Sequence, residues 1–250
     1  MPSRSWDAAS YHRVSDVQQR WAHDVLARLP LAGDETVLDA GCGSGAVTAM
    51  LLERLPDGHV VALDSSPEMV EHAREALDPA RATVFVADLA GFDLDTAVDA
   101  VFSNAVFHWI MDHDALFGCL HRALKPGGRL VAQCGGKDNI ARFIGQARDV
   151  AARAPYAEHL AGVGTWSNFA DVPETEERLR RAGFSDLRVW IEPSDVTPEH
   201  PAAFIRAVNL RAYAERLPEA LRDPFIEDVL ERAGSPLVLD YKRLNIDATA

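Results

Sequence analysis

The sequence predicts an α/β protein, a doubly wound, mostly parallel sheet with helices on both faces and a helical cap. Apolar runs such as Thr36–Ala40 and His59–Asp64 lack the polar alternation of a one-sided sheet, so they read as strands covered on both faces. Stretches with helical spacing separate these runs, which makes each connection a crossover between parallel strands. A turn with glycine at alternate positions, Gly41, Gly43 and Gly45, follows the first strand and opens a helix.

Taken in order, Val14, Val17, Trp21, Val25, Leu26 and Leu29 form an apolar stripe that predicts a helix over 14–29, closed by Pro30 and Gly33. The strand at 36–40 is followed by a helix over 47–55, stopped at Pro56-Asp57-Gly58, and by the strand at 59–64. Pro67 opens the next helix at a favoured first-turn position. Strands over 82–87 and 97–103 follow, then a helix over 114–124. Pro126-Gly127-Gly128 turns the chain into a strand over 129–134. Residues 137–172 read as mixed helix and loop, 174–182 as helix and 187–192 as strand. Two helical stretches occupy 198–233, broken near Leu217-Pro218, and 237–246 reads as a last long strand. The expected organisation is an N-terminal helical lid (1–33), a ligand-binding core (34–136), the rest of the core with an insertion (137–197), a helical cap (198–235) and a final core strand (236–250).

A chain of 250 residues, 48% hydrophobic, is long enough to bury a substantial core. Its net charge of −13 and the absence of any basic block argue against nucleic acid and anionic membrane surfaces as partners. Cys42, Cys119 and Cys134 lack metal-ligand spacing and predict reduced thiols, with no metal site. The first residues lack a signal-peptide core, and no run is long enough to span a bilayer; a cytoplasmic location is expected.

The glycine turn suits two ligands, a nicotinamide or flavin dinucleotide and S-adenosylmethionine; Gly41, Gly43 and Ala46 fit the dinucleotide spacing as well. A pyrophosphate at this turn is poorly served by a carboxylate at Asp39, whereas the ammonium of a methionine moiety can use one. Asp64, at the end of the next strand, is placed to accept both ribose hydroxyls of either ligand. Asp88, after the third strand, is placed to accept from an adenine amino group, and Met69 to lie against the adenine face. Each Asp alone reads more simply as a cap or loop residue. Three of them after three successive strands favour the methyl donor.

From Asp34 to Cys134, through VLDAGCGSG, VVALDSSPEMVEHAR, FVADL, FSNAVFHWI and LKPGGRLV, the chain resembles the class I S-adenosylmethionine-dependent methyltransferases. The resemblance implies a seven-stranded Rossmann-like sheet with an antiparallel final strand. It implies S-adenosylmethionine as cofactor, S-adenosylhomocysteine as product, and Asn104 and Ala105 near the methionine portion. It brings Ser65 and Leu89, neighbours of Asp64 and Asp88 in the quoted motifs, into the cofactor set. Tyr11, Ser15, Gln18, Arg20 and the Phe107-His108-Trp109 triplet resemble juvenile hormone acid and trans-aconitate methyltransferases; AASY with VQQRWA is similar to the malonyl-carrier-protein methyltransferases. All three types methylate a carboxylate oxygen, which implies a small-molecule acceptor held by Tyr11, Gln18, Arg20 and Trp109.

Alignment of donor and acceptor in a dry pocket is the protein's share of such chemistry. A carboxylate acceptor needs no base; a phenol, amine or carbon acid does, and His108 is then the candidate. The plainer readings are a loop hydrogen bond for His108, packing under the N-terminal helix for Trp109, and a solvated face for Gln18. His12 and His113 read as surface residues. Arg142, Arg206 or Arg211 can pair with a substrate carboxylate, and Phe143, Trp166, Phe169, Phe204 and Tyr213 can line an apolar cap. The competing functions are a nucleotide-dependent oxidoreductase, and a binding module or cyclase that keeps the cofactor without transferring its methyl group. A monomer or weak dimer is expected.

Overall fold

Val37, Leu38 and Ala40 are all without exposure in strand β1 (Thr36–Ala40), which only a strand central to a doubly covered sheet allows. In the computed structural model, which describes residues 16–163 and 167–250 with side chains from Arg20 onward, β1 lies third in a seven-stranded sheet. The other strands are β2 (His59–Asp64), β3 (Ala82–Val86), β4 (Val98–Asn104), β5 (Leu124–Gly135), β6 (Ser185–Pro193) and β7 (Lys242–Thr249). Their order is β3-β2-β1-β4-β5-β7-β6, with β1 to β5 parallel and β7 antiparallel to β5. The order reverses between β1 and β4, so a crevice opens at their carboxyl ends, where ligands of such sheets bind.

Helices α1 (Asp16–Arg28), α2 (Ala46–Glu53) and α3 (Pro67–Ala76) cover one face, and α4 (His113–Ala123) and α7 (Val172–Ala182) the other. Residue parity sets the division. Val37, Ala100, Phe102 and Val131 pack with Val25, Leu26, Leu29 and Leu51, whereas Leu38, Val101, Leu130 and Ala132 pack with Leu116, Leu120 and Leu179. Each fully buried Leu contributes about 1.5–3 kcal/mol to holding a helix on the sheet. Capping fixes helix starts: Ser66 accepts from Met69 N, Asp112 from Ala115 N and Asp171 from Glu174 N.

The chain divides into two compact units. One comprises Met1–Lys137, Ser167–Glu192 and Arg243–Ala250; the other Asp138–Trp166 and Pro193–Lys242. The second holds α5 (Ala141–Ala151), α6 (Ala157–Leu160), α8 (Pro201–Phe204), a π-helical turn (Ile205–Asn209), α9 (Arg211–Arg216) and α10 (Glu219–Ala233). The break at Leu217-Pro218 falls as the sequence predicts. The last strand does not: it runs Lys242–Thr249, later than 237–246, because Leu239 bridges Val196 inside the second unit. The Pro126-Gly127-Gly128 segment is also no simple turn. It lies inside β5, and the pairing slips between Val98 and Ala100 to absorb the extra residues.

Ser103 ties β4 to β1 within the core, its Oγ donating to the Ala40 carbonyl at 2.7 Å. Ser103→Ala should therefore cost about 1 kcal/mol of stability, read as a lower urea midpoint with an unchanged slope.

Candidate active site

Asp39, Asp64, Asp88 and Asn104 stand at or just beyond the carboxyl ends of β1, β2, β3 and β4, four neighbouring strands. Asp39 is 2% exposed and accepts from Thr48 Oγ1 at 2.7 Å. Burial pushes its carboxyl up to about 7; the Thr48 hydroxyl opposes this, and the charge of Asp64 adds to it. A carboxyl held so far above its usual range is short of positive charge, and a ligand ammonium would supply it.

The glycine turn keeps its N–H groups for the chain itself. Gly41 N and Cys42 N both donate to the Leu63 carbonyl at 2.9 Å, Gly43 N to Asp64 Oδ2 at 3.0 Å and Gly45 N to the Cys42 carbonyl at 3.0 Å. A pyrophosphate would need such amides as donors, so this turn is ill suited to a dinucleotide. The glycines are needed for different reasons. A Cβ at Gly41 would meet Val106 at 2.4 Å, and one at Gly45 would press on Ala73 at 3.2 Å. A Cβ at Gly43 would meet nothing within 4 Å. Gly43 thus borders open space beside Asp64, as close approach of a ligand requires.

Asp64 has less freedom than the sequence suggests. Its Oδ1 accepts from Ser66 N at 2.9 Å and its Oδ2 from Gly43 N, which fixes the carboxylate plane and leaves one further lone-pair site on each oxygen. Burial nevertheless raises its carboxyl from the ordinary value, against those backbone N–H groups and that of Ser65. Ser65 is exposed beside it, and Met69 and Leu89 are buried. Asp88 is exposed and closes a small turn, accepting from Ala90 N at 2.9 Å. Asn104 is half-buried, and Ala105 adopts a left-handed φ of 62° while its N donates to the Gln133 carbonyl at 2.7 Å. A non-glycine residue held there stores about 1 kcal/mol or more of strain, a common mark of functional sites.

His108 and Trp109 lie on a single 3-10 turn, Phe107–Trp109. His108 is buried, with its Nδ1 accepting from Gly135 N at 3.2 Å and its ring between Trp109 and Phe169, at 4.6 and 5.8 Å. Burial, then the charge of Arg243 and the proximity of His113, hold this imidazole well below its ordinary value. It is a neutral structural acceptor and ill suited to collect a proton. Trp109 is half-buried, Arg20 lies exposed on α1, and Gln18 falls within α1. The Gln18 side chain, Tyr11, Ser15, His12 and Trp166 lie outside the described residues.

His113 is 2% exposed and bonds the Phe107 carbonyl through Nε2 at 2.9 Å, so it is no surface residue. The three arginines expected to meet substrate have partners in the second unit: Arg142 with the Val238 carbonyl, Arg206 with Asp223, and Arg211 with Glu215. Phe143, Phe204 and Tyr213 are buried there. Thr48 and Gln133 escaped sequence reasoning. Gln133 left one signal, a polar residue in the otherwise apolar run LVAQC.

A doubly wound sheet, a glycine turn that spends its amides internally and a carboxyl in need of a cation define an enzyme that binds a methionine-type nucleoside. Comparison with known proteins agrees. Residues 37–128 match the family described as a methyltransferase domain. The trans-aconitate 2-methyltransferase of Methylobacterium nodulans is 35% identical over 193 residues, 77% of this chain and 69% of that protein. That of Variovorax paradoxus is 32% identical over 260 residues, covering 96% and 93%. A solved S-adenosylmethionine-dependent methyltransferase from Mesorhizobium loti shares the fold with a TM-score of 0.55 at 21% identity, over 91% of this chain and 96% of that one. The chain belongs to the class I S-adenosylmethionine-dependent methyltransferases, in the family of the trans-aconitate 2-methyltransferases. It is an enzyme, and S-adenosylmethionine is its methyl donor. Among the described residues no helix is long and apolar enough to cross a membrane.

Two predictions follow from this geometry. Gly43→Ala should cost about 1 kcal/mol of stability for its left-handed backbone, yet lower S-adenosylhomocysteine affinity at least roughly tenfold by filling open space, read by calorimetry. Asp39→Asn should separate stability from binding. Because the folded carboxyl titrates near 7 and the unfolded one near 3.8, the folded chain keeps a proton that the unfolded chain has lost. Stability from this group is therefore full below about 4 and falls as pH rises to about 7. The Asn variant should be more stable than the parent at pH 8, by about 4 kcal/mol, with the difference shrinking toward pH 5. It should also lose cofactor affinity.

Proposed function

We propose that this enzyme methylates a carboxylate oxygen of a small organic acid, giving a methyl ester. The observation that carries the reading is the family, whose members named above are trans-aconitate 2-methyltransferases over most of their length. The state of His108 supports it: the histidine nearest the expected acceptor is buried, neutral and already hydrogen-bonded, which suits an acceptor with no proton to lose.

In this reading Asp39 holds the ammonium of the donor's methionine portion and Asn104 lies beside that portion. Asp64 accepts the ribose hydroxyls from a plane set by Gly43 and Ser66, with Ser65 at its side. Asp88 accepts from the adenine amino group, and Met69 and Leu89 give the ring apolar walls. Gly41, Gly43 and Gly45 let the backbone come close without side chains. When bound, S-adenosylmethionine supplies a methyl carbon on positive sulfur, open to displacement by a carboxylate oxygen without a base. The Trp109 indole N–H and the Gln18 amide hold one oxygen of the acceptor carboxylate and so aim the other; Tyr11 and Arg20 complete that end of the pocket. Acting as a monomer or weak dimer in the cytoplasm, the chain needs neither nucleic acid nor membrane for this role.

The test is an acceptor screen with methyl-labelled donor against carboxylic acids, phenols and amines. A base-labile labelled ester is expected. At saturating donor the rate should stay flat from pH 6 upward, because a carboxylate with a reference pKa of about 4 is already ionised. Below saturation, kcat/KM for the donor should rise through about 7 as Asp39 ionises. Trp109→Phe should slow transfer roughly 10- to 100-fold through lost alignment, while His108→Asn, which keeps an acceptor for Gly135 N, should stay within a few-fold. A base-stable product whose formation stops in His108→Asn would overturn the reading.

A further inference from the structure

The stretch Phe107-His108-Trp109-Ile110-Met111 leaves β4 through a single 3-10 turn and reaches the cap of α4 at Asp112. A turn this short pairs few of its own carbonyls. Trp109 N donates to the Val106 carbonyl at 2.8 Å and Ile110 N to that of Phe107 at 3.0 Å. His113 Nε2 also bonds the Phe107 carbonyl, so the start of the turn is held by α4. The later carbonyls go to one residue from far along the chain. Asn168 N donates to the His108 carbonyl at 2.8 Å, and Asn168 Nδ2 to those of Ile110 at 3.3 Å and Met111 at 3.1 Å. The side-chain amide fits only this way round, because its two N–H groups meet two acceptors and its oxygen there would face their lone pairs. Asn168 therefore straddles Trp109, bonding the carbonyl before it and the two after it. The brace has its own footing. Two residues on, the buried Ala170 accepts from Lys137 N at 2.9 Å just past β5. Asp171 then caps α7 through Glu174 N at 3.0 Å and pairs with Lys137 Nζ at 3.4 Å.

We propose that Asn168 is a positioning residue for methyl transfer, acting through Trp109: by fixing the backbone on both sides of the tryptophan it sets the direction of the indole N–H. This rests on the reading of Trp109 as a contact of the acceptor. Transfer in line from sulfur tolerates little error in aim, and a displacement of about 1 Å can cost on the order of 100-fold in rate. A residue on a turn between a strand and a helix has no ladder to hold it, so its aim depends on what its neighbours' carbonyls bond. Asn168 supplies those bonds from a segment anchored to β5 and α7. It is itself half-buried, so its loss leaves carbonyls that water can reach and the fold survives. What changes is the freedom of residues 108–111. The donor site is built from other segments, the turn after β1 and the ends of β2 and β3, and it has no bond to Asn168 among the described residues.

The test follows Trp109 directly. The full chain is labelled with 5-fluorotryptophan, saturated with S-adenosylhomocysteine and observed by fluorine NMR, with the Trp109 line assigned by its loss in Trp109→Phe. Asn168→Ala and Asn168→Asp should shift or broaden that line and leave those of Trp21 and Trp190 in place. S-adenosylhomocysteine affinity should change less than about twofold, which shows that the variants are folded and the donor site intact. Kinetics use methyl-labelled donor with the compound that takes most label in the acceptor screen. There kcat should fall about tenfold in Asn168→Ala, with KM for the donor unchanged. Asn168→Asp should fall at least as far: it keeps the shape but sets a carboxylate against two carbonyl oxygens, whereas a role in filling space alone would spare it. On the Trp109→Phe background, Asn168→Ala should cost less than about twofold more, because the group it acts through is already gone. A Trp109 line unmoved in both variants, a moved line with unchanged kcat, or a loss that repeats in full on Trp109→Phe overturns the role. Label transferred to an atom other than a carboxylate oxygen, with the Asn168 loss and its dependence on Trp109 intact, would sink the ester reading and leave the positioning role standing.

Discussion

A carboxyl buried near the end of an inner strand, with one hydroxyl to steady it, is the constraint on which this architecture turns. Asp39 is stranded at β1, where neighbouring strands on both sides and the α1 to α3 layer exclude water. Its cost to the unliganded chain is real, since burial holds it near 7. The surrounding structure spends its own hydrogen bonds to keep that position fixed: the turn amides go to Leu63 and Asp64, Thr48 reaches back from α2, and Ser103 clamps β4 against Ala40. A site that stores electrostatic debt in the absence of ligand is well placed to discharge it on binding a cation.

The same logic orders the rest of the carboxyl edge. Asp64 is locked by two backbone donors, Ala105 is held in a left-handed conformation by Gln133, and His108 is kept neutral by burial and by Arg243. Asp39 on β1, an acid that ionises when a cation reaches it, and the guanidinium of Arg243 on β7 thus stand apart across the sheet, with Asn104 on β4 and Gln133 on β5 between them. On the proposed reading this arrangement suits a reaction that brings a cationic donor and an anionic acceptor together, and it needs no proton acceptor. Electrostatic preorganisation of this kind costs nothing at the moment of reaction because the groups are already fixed.

Much of the fold was legible because parallel strands buried on both faces write themselves as apolar runs, and glycine and proline mark the turns between them. The glycine turn and the carboxylates after β1, β2 and β3 were legible for the same reason: few residue types fit those places. Legibility failed where polar residues are buried. β7 contains Arg243, Asn245 and Asp247, so its start was misplaced onto the apolar Leu237–Leu239 stretch, which instead bridges Val196. The sequence marks out no role for Arg243, because its partners, Gln133 on β5 and Trp21 on α1, are far away along the chain. His113 was misread for a local reason, since burial under the sheet and the Phe107 carbonyl of the preceding 3-10 turn take the place of solvent. The partners of buried polar groups are what a single sequence conceals.

The central claim is that Asp39 waits protonated for a cation, and proton linkage measures it most directly. Binding of S-adenosylhomocysteine is followed by calorimetry at pH 6 in buffers of different ionisation enthalpy. A carboxyl titrating near 7 in the free chain and stabilised as a carboxylate by the ligand ammonium should release close to one proton per ligand bound. The same experiment on Asp39→Asn should release none. Binding of the parent with no proton released at pH 6 would contradict the account, because Asp39 would then be either already ionised or untouched by the ligand.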